Sequence, residues 1–141
     1  MAEDVFSNDD RAYLAMLQGN ITRMATNSLY CKVLCGAFIP VLASSSILRG
    51  CSFLVCALLL LGASLYLDVL YLSLEKAYRD KYNKYYKAVL LSDYSIRNQI
   101  FDMNPSGYLN FDNKFKSLKS WSIWVPYGAF FFCALIVSAS K

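Results

Sequence analysis

Residues 52–67 read SFLVCALLLLGASLYL, an uncharged run that ends at Asp68 and resumes as VLYLSL to Leu74. Crossing a hydrocarbon core of about 30 Å takes about 20 apolar residues in a helix, so positions 50–74 read as a membrane span. Two further uncharged stretches flank it. Val33–Leu48 lies between Lys32 and Arg49 and contains Pro40. It is short for a span, but the helix can begin earlier and Lys32 can snorkel. Ser120–Ser140 holds 21 residues without a charge and opens with Trp121 and Trp124. Tyr66, Tyr71, Trp121, Trp124 and Tyr127 fall where an aromatic belt would sit. The expected fold is all-α: a polytopic membrane protein with three transmembrane helices.

Composition points the same way. Hydrophobic residues make up 57 % of the 141-residue chain and charged residues 17 %, against about 45–50 % and about 25 % in soluble domains. Three apolar runs leave too little polar surface for a soluble helical globule. There is no histidine, which excludes a Ser-His-Asp triad, a Cys-His dyad and His-ligated zinc. No Gly-rich phosphate loop or nucleophile–base pair occurs, so neither catalysis nor a cofactor is expected. Cys31, Cys35, Cys51, Cys56 and Cys133 include no C-x-x-C pair and read as reduced, structural thiols in apolar runs. The opening MAEDVFSNDDR is acidic and lacks the basic and apolar regions of a signal peptide. The membrane signal is therefore expected to be internal.

Charge placement sets the expected topology. Residues 75–119 hold nine basic side chains, whereas the 1–32 segment holds Arg11, Arg23 and Lys32 and the first hairpin only Arg49. The positive-inside rule puts 75–119 in the cytoplasm. Two crossings return the N-terminus to the same side, and the third span leaves the C-terminus outside. The chain thus divides into a cytoplasmic N-terminal amphipathic helix (1–32), a transmembrane hairpin (33–74, spans 33–48 and 50–74), a cytoplasmic basic-aromatic helix and loop (75–119), and a third span (120–141).

Both polar segments read as helices that run into spans. Ser7 and Asp10 have the spacing of a capping box, and Leu14, Leu17, Ile21 and Met24 make an apolar stripe. No breaker separates Met24 from Lys32. A second stripe, Asn20, Arg23 and Asn27, heads towards the membrane, either as a solvated face or as a pore or gate lining. Leu67, Tyr71, Leu74, Tyr78, Tyr82, Tyr85 and Val89 form a helical seam, so the second span is expected to continue as one helix from Phe53 to about Leu91. Glu75 and Arg79 make a favourable i, i+4 pair. Beyond that helix a compact loop turns at Asn104-Pro105-Ser106-Gly107.

Asp68 lies within the second apolar run. It is either wet at headgroup depth or paired, and a network of Asp68 or Glu75 with Arg23 would tie the first helix to the second. Asn20, Arg23, Asn27, Asp68 and Glu75 are the candidate pore or gate residues. Tyr78, Arg79, Lys81, Tyr82, Lys84, Tyr85, Tyr86 and Lys87 interleave rings with cations. That composition suits single-stranded nucleic acid, with rings to stack on bases and cations to track phosphates. It equally suits a packing seam between subunits or contact with anionic headgroups.

Gln18-Gly19-Asn20-Ile21-Thr22-Arg23-Met24-Ala25-Thr26-Asn27-Ser28 resembles a Q-x-x-I-x-R-M-x-x-N-S pattern ahead of a span. Asp68-Val69-Leu70-Tyr71-Leu72-Ser73-Leu74-Glu75-Lys76-Ala77-Tyr78-Arg79, with Tyr82 following, resembles D-x-x-Y-L-x-x-E-x-x-x-R-x-x-Y. Both are similar to a family of small three-span bacterial membrane proteins, the anti-phage defence effectors of the Hailong type. Where the family pattern has two tyrosines, this chain has Leu70-Tyr71. The resemblance covers about half the chain. It implies a homo-oligomeric ion channel of the bacterial inner membrane, a nucleotidyltransferase-like partner enzyme, and gating by a nucleic-acid signal such as a single-stranded DNA oligomer or another oligonucleotide. The other function class open to the residues is a non-catalytic membrane scaffold that docks a partner enzyme.

Overall fold

The computed structural model describes residues 6–45, 50–91, 102–104 and 117–140, and three long helices account for most of them. The first, α1 (Asn8–Ser44), begins at the capping box legible in the sequence. The Asp10 amide donates to Ser7 Oγ, and the Asp10 carboxylate accepts from the Ser7 amide. With no breaker between Met24 and Lys32, the helix continues unbroken into the apolar run. Pro40 lies near its end, where it removes one backbone bond and crowds the carbonyl four residues back, that of Gly36. Gly36 also admits the third long helix: a Cβ there would lie 3.4 Å from Phe130 Cζ.

Gly50 opens α2 (Cys51–Leu90) with φ +52°, a conformation glycine adopts without a Cβ penalty. At 40 residues and about 1.5 Å each, α2 is about 60 Å long. It pairs antiparallel with α1 along its whole length. Tyr13 meets Tyr85 at the far end, Lys32 meets Asp68 midway, and Leu42 and Ala43 pack on Phe53 and Ala57 near the turn. The third helix, α3 (Trp121–Ser140), lies along the turn-proximal half. Ile123 and Tyr127 join Cys35, Ile39, Leu61 and Val69, while Ala134 joins Phe53 and Ala57.

All three helices are long and apolar enough to cross a membrane, and only 17–33 % of their apolar windows is buried within the chain. The expected boundaries at 32 and 74 fall inside unbroken helices. Arg49, Arg97, Lys114, Lys116 and the turn beyond Asn104 lie outside the described residues.

The inward faces keep part of the apolar stripes read in the sequence, with Leu17 and Ile21 on α1 and Tyr78, Tyr85 and Val89 on α2 buried, and depart from them elsewhere. On α2 the structure buries Ser64, Asp68, Ser73, Ala77 and Lys81, whereas Leu67 is exposed and Tyr71 and Leu74 are half-buried. On α1 the buried row is Asp10, Tyr13, Leu17, Ile21, Ser28, Cys31, Cys35 and Ile39, with Leu14 and Met24 at its edge. The reason is physical. Within the apolar half an outward leucine facing lipid costs nothing, so Ser64, Asp68 and Ser73 share the close helix contacts with Phe53, Leu61 and Val69.

Candidate functional site

Two places bring chemistry-bearing residues together. The first is a junction of all three helices inside the apolar half. Lys32 Nζ stands 2.8 Å from Asp68 Oδ2 and donates to Asp68 Oδ1 at 2.9 Å and to Ser28 Oγ at 2.9 Å. Ser28 Oγ donates to Asp68 Oδ1. Asp68 is fully buried and the Lys32 side chain is 14 % exposed. The Tyr127 hydroxyl from α3 is buried beside this carboxylate. Tyr30, Tyr66, Trp121 and Trp124 are exposed, Tyr30 and Tyr66 within two residues of the ion pair along the chain.

This geometry corrects the expected network. Asp68 pairs with Lys32, not Arg23, which sits nine residues earlier, about 13 Å along the helix axis. Arg23 donates instead to Asn20 Oδ1 at 3.3 Å. Glu75 accepts from Arg79 Nε at 2.8 Å, the i, i+4 pair read in the sequence. Lys32 is no snorkelling boundary residue but the counter-ion of Asp68. The five candidate pore or gate residues are not gathered: Asn20 and Arg23 lie in the other half of the hairpin, Asn27 is half-buried beside Ser28, and Asp68 is sealed.

The second place is the polar half, where α1 and α2 flank an open pocket of about 220 Å³ lined by Gln18, Ile21, Arg79, Tyr82 and Asn83, of which Gln18, Arg79 and Asn83 are exposed. Two amides, a guanidinium and a phenol converge there. Tyr82 and Tyr86 stack at 6.3 Å and Tyr86 and Phe6 at 5.5 Å, a ladder of rings leading away from the cavity.

The eight candidate ligand residues divide between cavity, surface and core. Arg79 and Tyr82 line the cavity, and Lys84, Tyr86 and Lys87 are exposed. Tyr78, Lys81 and Tyr85 face inward instead. Tyr85 donates to Asp10 Oδ1 at 2.6 Å, and Tyr78 donates to the Met103 carbonyl at 3.3 Å. Lys81 Nζ donates to the carbonyls of Asp102 and Asn104 and to Asp102 Oδ2 at 3.1 Å. Their seam position on the helix accounts for this, because the face with every third or fourth residue apolar also carries them into the α1–α2 contact. Sequence reading missed Ser28, Lys32 and Tyr127 at the junction and Asp10 as the partner of Tyr85.

The segment Asp102–Asn104 is clamped across both helices, since Tyr13 also donates to the Asp102 carbonyl at 3.0 Å and Asn20 Nδ2 contacts Met103 Sδ at 3.6 Å. The Asn104 backbone N–H and then the Lys81 ammonium hold the Asp102 carboxyl below its ordinary value. A carboxyl lowered on folding stabilises the clamp above the unfolded value of about 3.9 and loses that effect as pH falls through the lower, folded value. Acid titration below about pH 4 should therefore loosen the clamp, while the bonds of Tyr13, Tyr78 and Lys81 to main-chain carbonyls persist. Faster amide exchange at 102–104 and greater quencher access to Tyr13 and Tyr78 would record it, and Asp102→Asn should show part of the loosening already at neutral pH.

No family model, curated protein or solved structure matches this chain.

Proposed function

We propose that the chain is the subunit of an oligomeric ion pore whose opening is controlled by a nucleic-acid or nucleotide signal, a single-stranded DNA oligomer among the candidates. In this reading it lies in the bacterial inner membrane with its N-terminus and residues 75–119 cytoplasmic and its C-terminus outside. It acts as an anti-phage effector that depolarises the membrane, alongside a nucleotidyltransferase-like enzyme. One observation carries the reading: α1 and α2 run unbroken from the Arg79–Tyr82 cavity into the apolar half, so a ligand between them bears mechanically on the spans. Three helices enclose no aqueous path alone, and their largely outward-facing apolar windows leave room for several copies to meet.

Expression without a partner enzyme should collapse the membrane potential, read with a potential-sensitive dye. An intact potential with verified insertion overturns the pore. Purified chain should bind a short single-stranded oligonucleotide with affinity that falls as salt rises, and Tyr82→Ala should cost about 1–3 kcal/mol of that binding, the worth of one stacked base. The scaffold reading draws on Tyr86, Leu90 and Leu91, exposed at the end of α2. Membrane insertion without oligonucleotide binding or depolarisation favours that reading.

A further inference from the structure

We propose that the groove between α2 and α3 seats one acyl chain of an anionic phospholipid whose headgroup pairs with Lys76. The proposal requires that the helices lie in lipid and does not depend on the pore reading.

The groove follows from the residues on its two walls. Leu58, Gly62 and Leu65 on α2 face Trp124, Gly128 and Phe131 on α3, so each wall extends over seven residue steps. Gly62 and Gly128 carry no side chain to fill the space between, and a Cβ built on either meets nothing within 4 Å. The result is an open apolar groove of about 330 Å³.

Its dimensions decide what fits. Seven steps of helix extend about 10 Å, so the mean cross-section of the groove is about 30 Å². A second helix, about 10–12 Å across with its side chains, needs about 80–110 Å². A hydrocarbon chain is slim enough to enter, whereas a helix from another copy is not.

The register of α2 supplies the other end of the ligand. Leu58, Leu65, Leu72 and Lys76 are spaced seven, seven and four, one stripe of the helix. Leu65 and Leu72 both pack against the cluster that includes Ile123 and Tyr127 of α3, so the stripe follows the α2–α3 seam from the groove to the lysine. One leaflet with its headgroups is about 20–22 Å thick, half of the whole bilayer. A phosphate beside Lys76 therefore puts the end of its chain about 14 residues down the helix, at Gly62.

Charge favours an anionic headgroup. Glu75 and Arg79 neutralise each other in an ion pair of 2.7 Å, and exposed Lys119 just ahead of α3 offsets exposed Asp80. The charge of Lys76 is left in excess. One lysine near the membrane surface favours an anionic lipid about fivefold.

Fluorescence quenching by brominated lipids tests this on the full chain in liposomes. Trp121→Phe leaves Trp124, on the groove wall, as the single tryptophan. Bromines are placed near the ends of the acyl chains. Brominated phosphatidylglycerol is compared with brominated phosphatidylcholine, each in a host of unbrominated phosphatidylcholine. Phosphatidylglycerol should quench Trp124 half-maximally at about one fifth of the fraction that phosphatidylcholine needs. Lys76→Gln should remove that difference. Lys87→Gln makes the same charge change eleven residues further out, about 16 Å and beyond a Debye length, and should leave the difference intact. Gly62→Leu fills the groove from one wall, where a Cβ meets no atom, and should lower quenching by both lipids. Equal quenching by the two lipids, a preference that survives Lys76→Gln, or quenching unmoved by Gly62→Leu would overturn the proposal. So would an absence of quenching, which would mean that a second copy covers this face.

Discussion

Lys32→Met should destabilise the chain by about 3–5 kcal/mol, the usual cost of leaving one member of a buried ion pair alone. Asp68→Asn should also destabilise, but by less. The asymmetry follows from burial. Asp68 is fully enclosed and cannot withdraw, whereas the Lys32 side chain is 14 % exposed and its four-carbon stem can carry the ammonium towards water. Asparagine also keeps an oxygen for Ser28. The double variant, Lys32→Met with Asp68→Asn, removes both charges and should recover most of the loss, because a neutral replacement of a buried pair is often tolerated. Steric-trap or detergent-titration unfolding in bicelles measures all three, and the cycle isolates the coupling between the two side chains. A Lys32→Met chain as stable as the parent would mean that the pair is wet and that the helices do not lie as described.

The long helices were legible because their determinants are local. The capping box at Ser7 and Asp10, the absence of a breaker from Met24 to Lys32 and the uncharged runs all lie within a few residues of where they act. Which face turns inward was legible from the apolar stripes in the polar half, where Leu17, Ile21, Tyr78, Tyr85 and Val89 are buried, but not along Leu67, Tyr71 and Leu74. Such a stripe marks the core only when water surrounds the helix. In an apolar solvent the signal weakens, and small and polar positions become informative beside Phe53, Leu61 and Ile39: Ser28, Ser64, Asp68 and Ser73.

The junction itself left a readable trace. Lys32 and Asp68 each lie eighteen residues from Gly50, the turn of an antiparallel pair, so equal counting from the turn sets the charges side by side. Reading Lys32 as the edge of a span hid this, because a boundary lysine and an intramembrane counter-ion look alike in a hydropathy profile. Tyr127 left no such trace: its contact with Asp68 depends on how α3 returns, through residues with no periodic pattern. The ring-and-cation run at 78–87 carried two messages at once. Periodicity assigned Tyr78 and Tyr85 to the seam, composition assigned them to a ligand, and packing decides for the seam at these two and at Lys81.

At the other end of the hairpin, Asp10→Ala should cost about 3 kcal/mol, unusual for an acidic residue three positions from a helix start. Both carboxylate oxygens are engaged: Oδ2 accepts from the Ser7 amide at 2.9 Å and hydroxyl at 2.8 Å, and Oδ1 accepts from Tyr85 at 2.6 Å. Losing the capping box costs about 1 kcal/mol. Losing a hydrogen bond to a charged group costs about 1.5–3 kcal/mol. Tyr85→Phe removes only the second contribution and keeps the ring against Tyr13, at 4.7 Å between centroids, so it should cost less than Asp10→Ala. The two changes together should cost less than their sum, since each removes the same bond. Combined with Lys32→Met, by contrast, Asp10→Ala should be additive: 22 residues of helix, about 33 Å, separate the sites. Amide exchange should then quicken in the first turn of α1 after Asp10→Ala while the junction keeps its protection. A cost below about 1 kcal/mol would mean that the cap alone matters and that Tyr85 does not hold α1 to α2 at this end.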